Sequence, residues 1–477
     1  MSEIDAAPTR GQHPNPPQAR QTSGPRVIEP EALGSRAFRE AYGLRHAYLS
    51  GAMYKGIASA KLVTAMGRAG LMGYFGAGGL RLGDIERNLL AIQSELVAGE
   101  AYGMNLLADG GDSEAERQTV ALYLKHGVRF VEAAAYVQIT PALVQYRLAG
   151  AKRVSGRIVL PNHVLAKVSR PEVAEAFMRP APPGIVEGLV SQGKLTAEEA
   201  ALAGSVPMAG EICAEADSGG HTDQRVAYTL IPALMALRDT VQLELAYDRP
   251  IFLGAAGGIG TPHAAAAAFV LGADFVVTGS INQCTVEAGT SEAVKDLLAP
   301  INVQDTAYAP AGDMFELGAR IQVLRKGLLF PARANKLYEL YMRHGSWEEI
   351  DLKTRTQIEQ RYFQRSFGDI WAETENYLQR EKPSELAQIS STPKRKMAAI
   401  FKWYFVHTTR LALSGSTEQT VDYQVHCGSA LGAFNQCVKG TDLEDWRKRH
   451  VAEISDRIMH GAASLLGSRF AAMTADA

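Results

Sequence analysis

Four cysteines in 477 residues leave this chain short of thiols. Cys213, Cys284, Cys427 and Cys437 form no C-x-x-C pair and belong to no Cys/His cluster of zinc spacing. A disulfide framework is thereby excluded, and no metal site is expected. The thiols read as reduced and mostly buried, those of a cytoplasmic protein. Long apolar runs are missing too. The longest small-apolar run, 264–270, is far too short to cross a bilayer. No apolar run follows a basic start, so no signal peptide is expected. Nor is there an excess of either charge: 49 Lys and Arg stand against 51 Asp and Glu, a net charge of −2. This argues against a surface built for nucleic acid or membrane, although a local basic patch remains allowed.

What is present is an ordinary globular composition, 46% hydrophobic and 21% charged. The length suits several domains, or one large barrel with additions. Residues 1–30 carry six prolines among Gln, Ser and Gly, too little apolar surface to order a segment, so a disordered tail is expected. From about residue 40 to 300, short apolar runs alternate with helical stretches. The runs are 47–53, 71–75, 101–107, 130–134, 164–168, 211–216, 251–256 and 275–278. Strands alternating with helices pair in parallel, and eight units in this length predict a (β/α)8 barrel, with a doubly wound sheet as the alternative. A second run, 157–160, competes with 164–168 for the fifth strand. A helical insertion at 184–206 follows a proline cluster and is a candidate lid or substrate platform. Residues 301–477 read as helical, interrupted by a polar, proline-bounded break at 384–396.

The chemistry gathers at the predicted strand ends. EADSGGHTDQR (215–225) places His221 after Gly219 and Gly220, where backbone can approach a flat ligand and an imidazole can meet its reactive face. The same stretch also reads as a Gly-rich turn with a surface histidine. Glu215 and Asp217 can orient His221 or hold the turn. LGAAGGIGTPH passes from strand to helix through Gly257 and Gly258, and FVVTGSINQ ends the last strand at Gly279 and Ser280. Glycine turns before helix N-termini suit a phosphate, and barrels often bind one after strands seven and eight. Lys167 in VLAKVS needs a partner or ligand within its apolar run. Asn105 in YGMNLL suits the edge of a flat ring, or caps the next helix. Ala52 and Met53 in SGAMY offer backbone and a thioether, or simply pack. Glu132 closes the fourth run as a functional carboxylate or an ion-pair partner.

Taken in order, these motifs resemble the PfaD-type proteins. APAGDMFELG, FPARANKLYELY and DYQVHCGSALGAFN (422–435) extend the resemblance over roughly residues 40–440. These are trans-acting, FMN-dependent enoyl reductases of polyketide and polyunsaturated fatty-acid synthases, within the nitronate monooxygenase-like flavin barrels. The wider group has glutamate–alanine–glycine–glycine–histidine, whereas here Asp217 and Ser218 are extra. The resemblance implies an FMN phosphate held by Gly257, Gly258, Gly279 and Ser280. It implies ring contacts from Ala52, Met53, Asn105, Lys167, Gly219 and Gly220, NADPH as reductant, and His221 as catalytic. It also implies an enoyl substrate on an acyl carrier protein within a polyketide synthase complex, and it is compatible with a homodimer. An acidic carrier would suit a basic patch, for which 394–396 (KRK) and 447–449 (RKR) are candidates; as isolated clusters they also read as solvated charge. A nitronate monooxygenase and a non-catalytic synthase scaffold are the competing readings.

Overall fold

A computed structural model describes residues 27–108 and 113–475. The expected tail, except for its last four residues, lies outside the described residues. Eight parallel strands close into a barrel. They are β1 (Tyr48–Ser50), β2 (Met72–Phe75), β3 (Gly103–Leu107), β4 (Phe130–Ala134), β5 (His163–Val168), β6 (Glu211–Glu215), β7 (Phe252–Ala256) and β8 (Val276–Thr278). The neighbours run β1-β8-β7-β6-β5-β4-β3-β2 and back to β1. This is the (β/α)8 barrel expected from the alternation.

Strand geometry sends alternate side chains inward and outward. On β6, Ile212 and Ala214 join the apolar layer between barrel and helices, while Cys213 joins the barrel interior. A Cβ at Gly254 of β7 would stand 2.2 Å from the Phe275 ring, so glycine there makes room for an aromatic filling. The surrounding helices start where the chain supplies caps. Ser59, Ser113, Thr140 and Thr261 each accept a backbone N–H of the first helical turn. Pro141 and Pro262 follow two of these caps at the position where a missing N–H costs nothing.

The structure settles one open alternative and departs from the sequence expectations in four places. Arg157–Val159 pairs antiparallel with Lys152–Val154 outside the barrel, which leaves His163–Val168 as the fifth strand. The insertion forms helices Pro183–Ser191 and Ala197–Leu202, but after the helix Pro171–Met178 that follows β5. It therefore belongs to a helix-to-strand connection, at the N-terminal end of the strands. It packs on the Pro141–Leu148 helix and on Lys152–Val154, so it is not a lid over the mouth. The region after 301 is not all helical. Thr306–Pro310 and Arg320–Leu324 form a three-stranded antiparallel sheet with Gly220–His221. Their partner lies about a hundred residues away, which local periodicity does not register. The expected break at 384–396 is largely helix, because Pro383 and Pro393 each open one, Pro383–Ser390 and Pro393–Ser414. Finally, the last helix, Val451–Ala475, packs on Pro262–Val270 and on Ala60–Arg68. It thereby closes the ring of the barrel, and the segment between β8 and this helix is one long insertion at the C-terminal end of the strands. The division expected at residue 301 cuts through that unit.

Candidate active site

Inward-facing residues at the C-terminal ends of β3 to β6 form a polar floor. Lys167 Nζ lies 2.8 Å from Glu215 Oε1 and 3.8 Å from Glu132 Oε1. Burial opposes the ammonium charge, but the two carboxylates outweigh it and raise its pKa. Burial raises the Glu132 pKa, against the pull of Lys167. The Glu132 carboxylate also accepts the backbone N–H of Ala52 at 3.0 Å, which ties the end of β1 to β4. Asn105 donates its amide to the Glu132 carbonyl at 3.2 Å. The Met53 carbonyl sits where a Cβ on Gly76 would clash, and its side chain packs against the core. Lys167, Asn105 and Ala52 therefore share one end of the barrel.

The loops after β7 and β8 form a cradle beside this floor. Gly257 and Gly258 both have positive φ, +83° and +74°, a conformation that disfavours any other residue. A Cβ at Gly258 or Gly279 would meet nothing within 4 Å, so backbone there faces open space. The helix Pro262–Val270 starts next to this turn. A second helix, Ser429–Cys437, begins beside it without a side-chain cap. Ser280 Oγ accepts the Gly428 N–H at 2.9 Å. A Cβ on Gly219 would lie 2.6 Å from Gly428 N and 2.7 Å from Ser280 Oγ, so this glycine lets the two loops touch. Open glycine backbone between two helix N-termini fits a phosphate, and the polar floor fits the edge of a flat ring. The residues present thus suit a phosphate-bearing flavin.

His221 stands above the floor on the short strand Gly220–His221, paired with Ile321 of the inserted sheet. Its side chain is 45% exposed, and its Nε2 lies 2.9 Å from Asp313 Oδ1. Desolvation works against the imidazolium, yet the Asp313 hydrogen bond and charge, helped by Glu215, raise the His221 pKa. Asp217, one of the two extra residues, holds the turn instead. It accepts from Thr222 Oγ1 at 2.8 Å and from Tyr308 OH at 2.5 Å, and also from Gln322. The other, Ser218, donates to Glu215 at 3.3 Å.

Sequence reasoning missed Asp313 and His426. The His426 ring stacks on Tyr54, 5.0 Å between centroids at 18°. Its backbone bridges to Val323. Both residues come from the long insertion. Their segments, APAGDMFELG and DYQVHCGSALGAFN, carry a polar residue within glycine- and alanine-rich sequence, but nothing in either ties it to His221.

The basic clusters at 394–396 and 447–449 are engaged within the fold. Lys394 Nζ donates to the carbonyls of Tyr341 and, at 2.5 Å, of His344, closing the end of a helix. Lys396 lies over the Trp371 ring and Arg447 pairs with Asp296. Arg449 is fully buried, bonded to Asn435 and to the carbonyls of Leu443 and Glu444. Lys394, Lys396, Arg447 and Arg449 are thus engaged, while Arg395 and Lys448 stay exposed. Among the described residues no helix is long and apolar enough to cross a membrane, and no group of three His, Cys, Asp or Glu is placed to hold a metal ion.

Fold and site together define a (β/α)8-barrel protein with its ligand end at the C-terminal ends of the strands. The chain is 53% identical over 447 residues to the polyketide biosynthesis protein PksE of Bacillus subtilis (strain 168), covering 94% of this chain and 58% of that protein. It is 42% identical over 441 residues to a polyunsaturated fatty acid synthase polypeptide of Thraustochytrium sp. (strain ATCC 26185 / S-3), covering 91% of this chain and 29% of that one. It thus spans little more than half of the first relative and under a third of the second. It matches the crystal structure of the enoyl reductase domain of MlnA, from the macrolactin biosynthesis cluster of Bacillus amyloliquefaciens. That match has TM-score 0.89 and 45% identity, over 92% of this chain and 99% of that one. Residues 344–423 match the inserted helical domain of the acyl-carrier-protein S-malonyltransferases. The chain belongs to the PfaD-type enoyl reductase family of polyketide and polyunsaturated fatty-acid synthases.

Proposed function

We propose that this protein is an FMN-dependent enoyl reductase, an oxidoreductase that uses NADPH and acts in trans on enoyl thioesters carried by an acyl carrier protein. The setting is polyketide or polyunsaturated fatty-acid synthesis in the cytoplasm. The observation that carries the reading is His221, anchored by Asp313 and by sheet pairing above a polar floor with a glycine cradle beside it. The family relationship and the resemblance of residues 344–423 to a domain of an acyl-carrier-protein transferase support the substrate class.

Gly257, Gly258 and Gly279 would hold the FMN phosphate through backbone N–H groups, with Ser280 bracing the loop. Asn105, Lys167 and the Ala52–Met53 backbone would meet the ring. When bound and reduced by NADPH, FMN supplies the hydride that adds to the β-carbon of the enoyl thioester. Lys167 keeps a positive charge at the floor, where negative charge develops. His221, whose charged form Asp313 favours, delivers a proton to the α-carbon, since an imidazole near neutral pH both holds and releases one.

The test is an absorbance spectrum of the purified protein, then addition of NADPH, then of an enoyl thioester. Flavin bands that bleach with NADPH and return with the enoyl thioester are expected. A colourless protein that binds no added FMN would favour a scaffold. Oxidation of propyl nitronate without NADPH, and no enoyl reduction, would favour a nitronate monooxygenase. His221→Ala is expected to lower enoyl reduction by about 10²-fold or more while flavin stays bound. Undiminished turnover would remove its catalytic role, and loss of flavin would make the residue structural.

A further inference from the structure

We propose that His426 is a second catalytic histidine, an uncharged hydrogen-bond donor that polarises the thioester carbonyl while His221 supplies the proton. The inference rests on the functional reading above. His426 Nε2 lies 2.8 Å from Gln424 Nε2, an amide nitrogen that can only donate. In this orientation of the Gln424 amide, whose Oε1 faces Thr408 Oγ1 at 3.5 Å, Nε2 is the acceptor and the ring proton is assigned to Nδ1. A Cβ on Gly220 would stand 3.5 Å from that Nδ1, so the N–H lies beside the residue immediately before His221. Among the described residues nothing accepts from it. The ring itself is fixed: it stacks on Tyr54, and the Gln283 amide holds the His426 carbonyl at 2.7 Å. A fixed donor with no partner in the protein, beside the proton donor of the reaction, is what a carbonyl oxygen gaining negative charge requires.

The surroundings divide the labour between the two rings. Asp313 bonds directly to His221 and, with the charge of Glu215, favours its imidazolium. Against His426 stand the uncharged Tyr54 and Gln424, the repelling charge of His221 and a weaker attraction from Asp313. Burial, first, and then His221 lower the His426 pKa to about 4. When bound and reduced, the flavin would supply the hydride for the new C–H bond at the β-carbon, and the C=C π electrons would shift toward the carbonyl. The oxygen accepts a hydrogen bond from His426 Nδ1–H without taking the proton. The α-carbon then takes the His221 proton, leaving a saturated thioester and neutral His221.

The test compares the full-length wild type with His426→Phe, which can still stack on Tyr54 but cannot donate, and His426→Gln, which keeps a donor. The first readout needs no turnover: the infrared C=O stretch of a bound saturated acyl-pantetheine thioester labelled with ¹³C at the carbonyl. A lowered frequency is expected in the wild type, partly kept in H426Q and lost in H426F. The second is the ¹⁵N spectrum of the wild-type histidines, where His426 should be neutral at pH 6 with its proton on Nδ1. The third is kcat, expected to fall about 10²-fold in H426F, with the pH profile unmoved. Asp313→Asn should instead shift the alkaline limb to lower pH. An H426F protein with wild-type frequency and turnover would overturn the proposal. So would a wild-type His426 that carries its proton on Nε2 or is charged at pH 6, and this decides the matter even if H426F fails to fold. If the wild type reduces no enoyl thioester, the functional reading fails instead.

Discussion

The two ends of this barrel are closed in opposite ways by the same strands. At the N-terminal end the helix Arg36–Tyr42 inserts Phe38 and Tyr42 into the barrel. Phe38 stacks on Phe275 at 4.4 Å and meets Phe252 edge-on at 5.6 Å, and Tyr42 lies 4.9 Å from Phe130. At the C-terminal end the closing layer is Lys167, Glu132, Glu215 and Asn105. Each end also buries a glutamate, and their fates differ. Burial works against ionised Glu211, but His163, Arg147 and Tyr42 outweigh it and hold its pKa below the usual carboxylate range. Glu132 is pushed the other way, since Lys167 and one backbone N–H do not offset its burial. At the closed end the neighbours of Glu211 favour its charge, although its Oε2 has no hydrogen-bond partner; at the open end Lys167 does not offset the burial of Glu132, which leaves that carboxyl available to a ligand.

Substitutions can break this contrast. The largest effect is expected from Phe38→Ala. It should cost about 4 kcal/mol in denaturant unfolding, with turnover per folded molecule unchanged. A matching loss of turnover would show that the two ends are coupled. Lys167→Met should cost about 3 kcal/mol, because it strands Glu132 and Glu215, and it should also weaken flavin retention. The cost should shrink as pH falls and Glu132, whose pKa is raised by burial, protonates, which unfolding curves at pH 5.5 and 8 would read.

A pair of isosteric changes sharpens the comparison. A lowered carboxyl pKa contributes stability above the unfolded-state value, lost as pH falls through the folded one. Glu211→Gln should therefore destabilise at pH 8, by about 1–2 kcal/mol. A raised pKa gives the reverse: its contribution is complete below the unfolded-state value and lost as pH rises through the folded one. Glu132→Gln should thus be neutral or stabilising at pH 8, and opposite signs in the two unfolding curves are the expected result. The smallest effect belongs to Lys396→Glu with Arg447→Glu. Their charges are engaged with Trp371 and Asp296, so the Michaelis constant for a carrier-bound substrate should stay within about twofold. Surface pairs of this kind contribute about 0–1 kcal/mol. A tenfold rise would restore these positions as a docking surface.

Much of the fold was legible in the chain alone. Seven of the eight strands fall on single apolar runs, because a strand buried on both faces must be apolar along its length. The fifth needed pairing to settle it, since 157–160 is also apolar and only the sheet shows that it lies outside the barrel. The insertion at 184–206 was legible as helix but not as to which end of the barrel it covers, which depends on its following a helix and not a strand. Strand-end Asn105 and Lys167 and the glycine turns were legible as chemistry, because such residues are costly there without a purpose. Their partners were not. Asp313 lies 92 residues from His221, and Gly428 lies 148 from Ser280.

The sequence by itself determined the barrel, its strand-end polar residues and the glycine turns, because alternation, burial and backbone freedom are local properties of a chain. Only the tertiary structure decided that Asp313, and neither Glu215 nor Asp217, holds His221, that His426 stands beside it, and that the last helix returns to close the ring. Those contacts join segments far apart in the chain, and their geometry is set by packing across the barrel mouth, which no local pattern records.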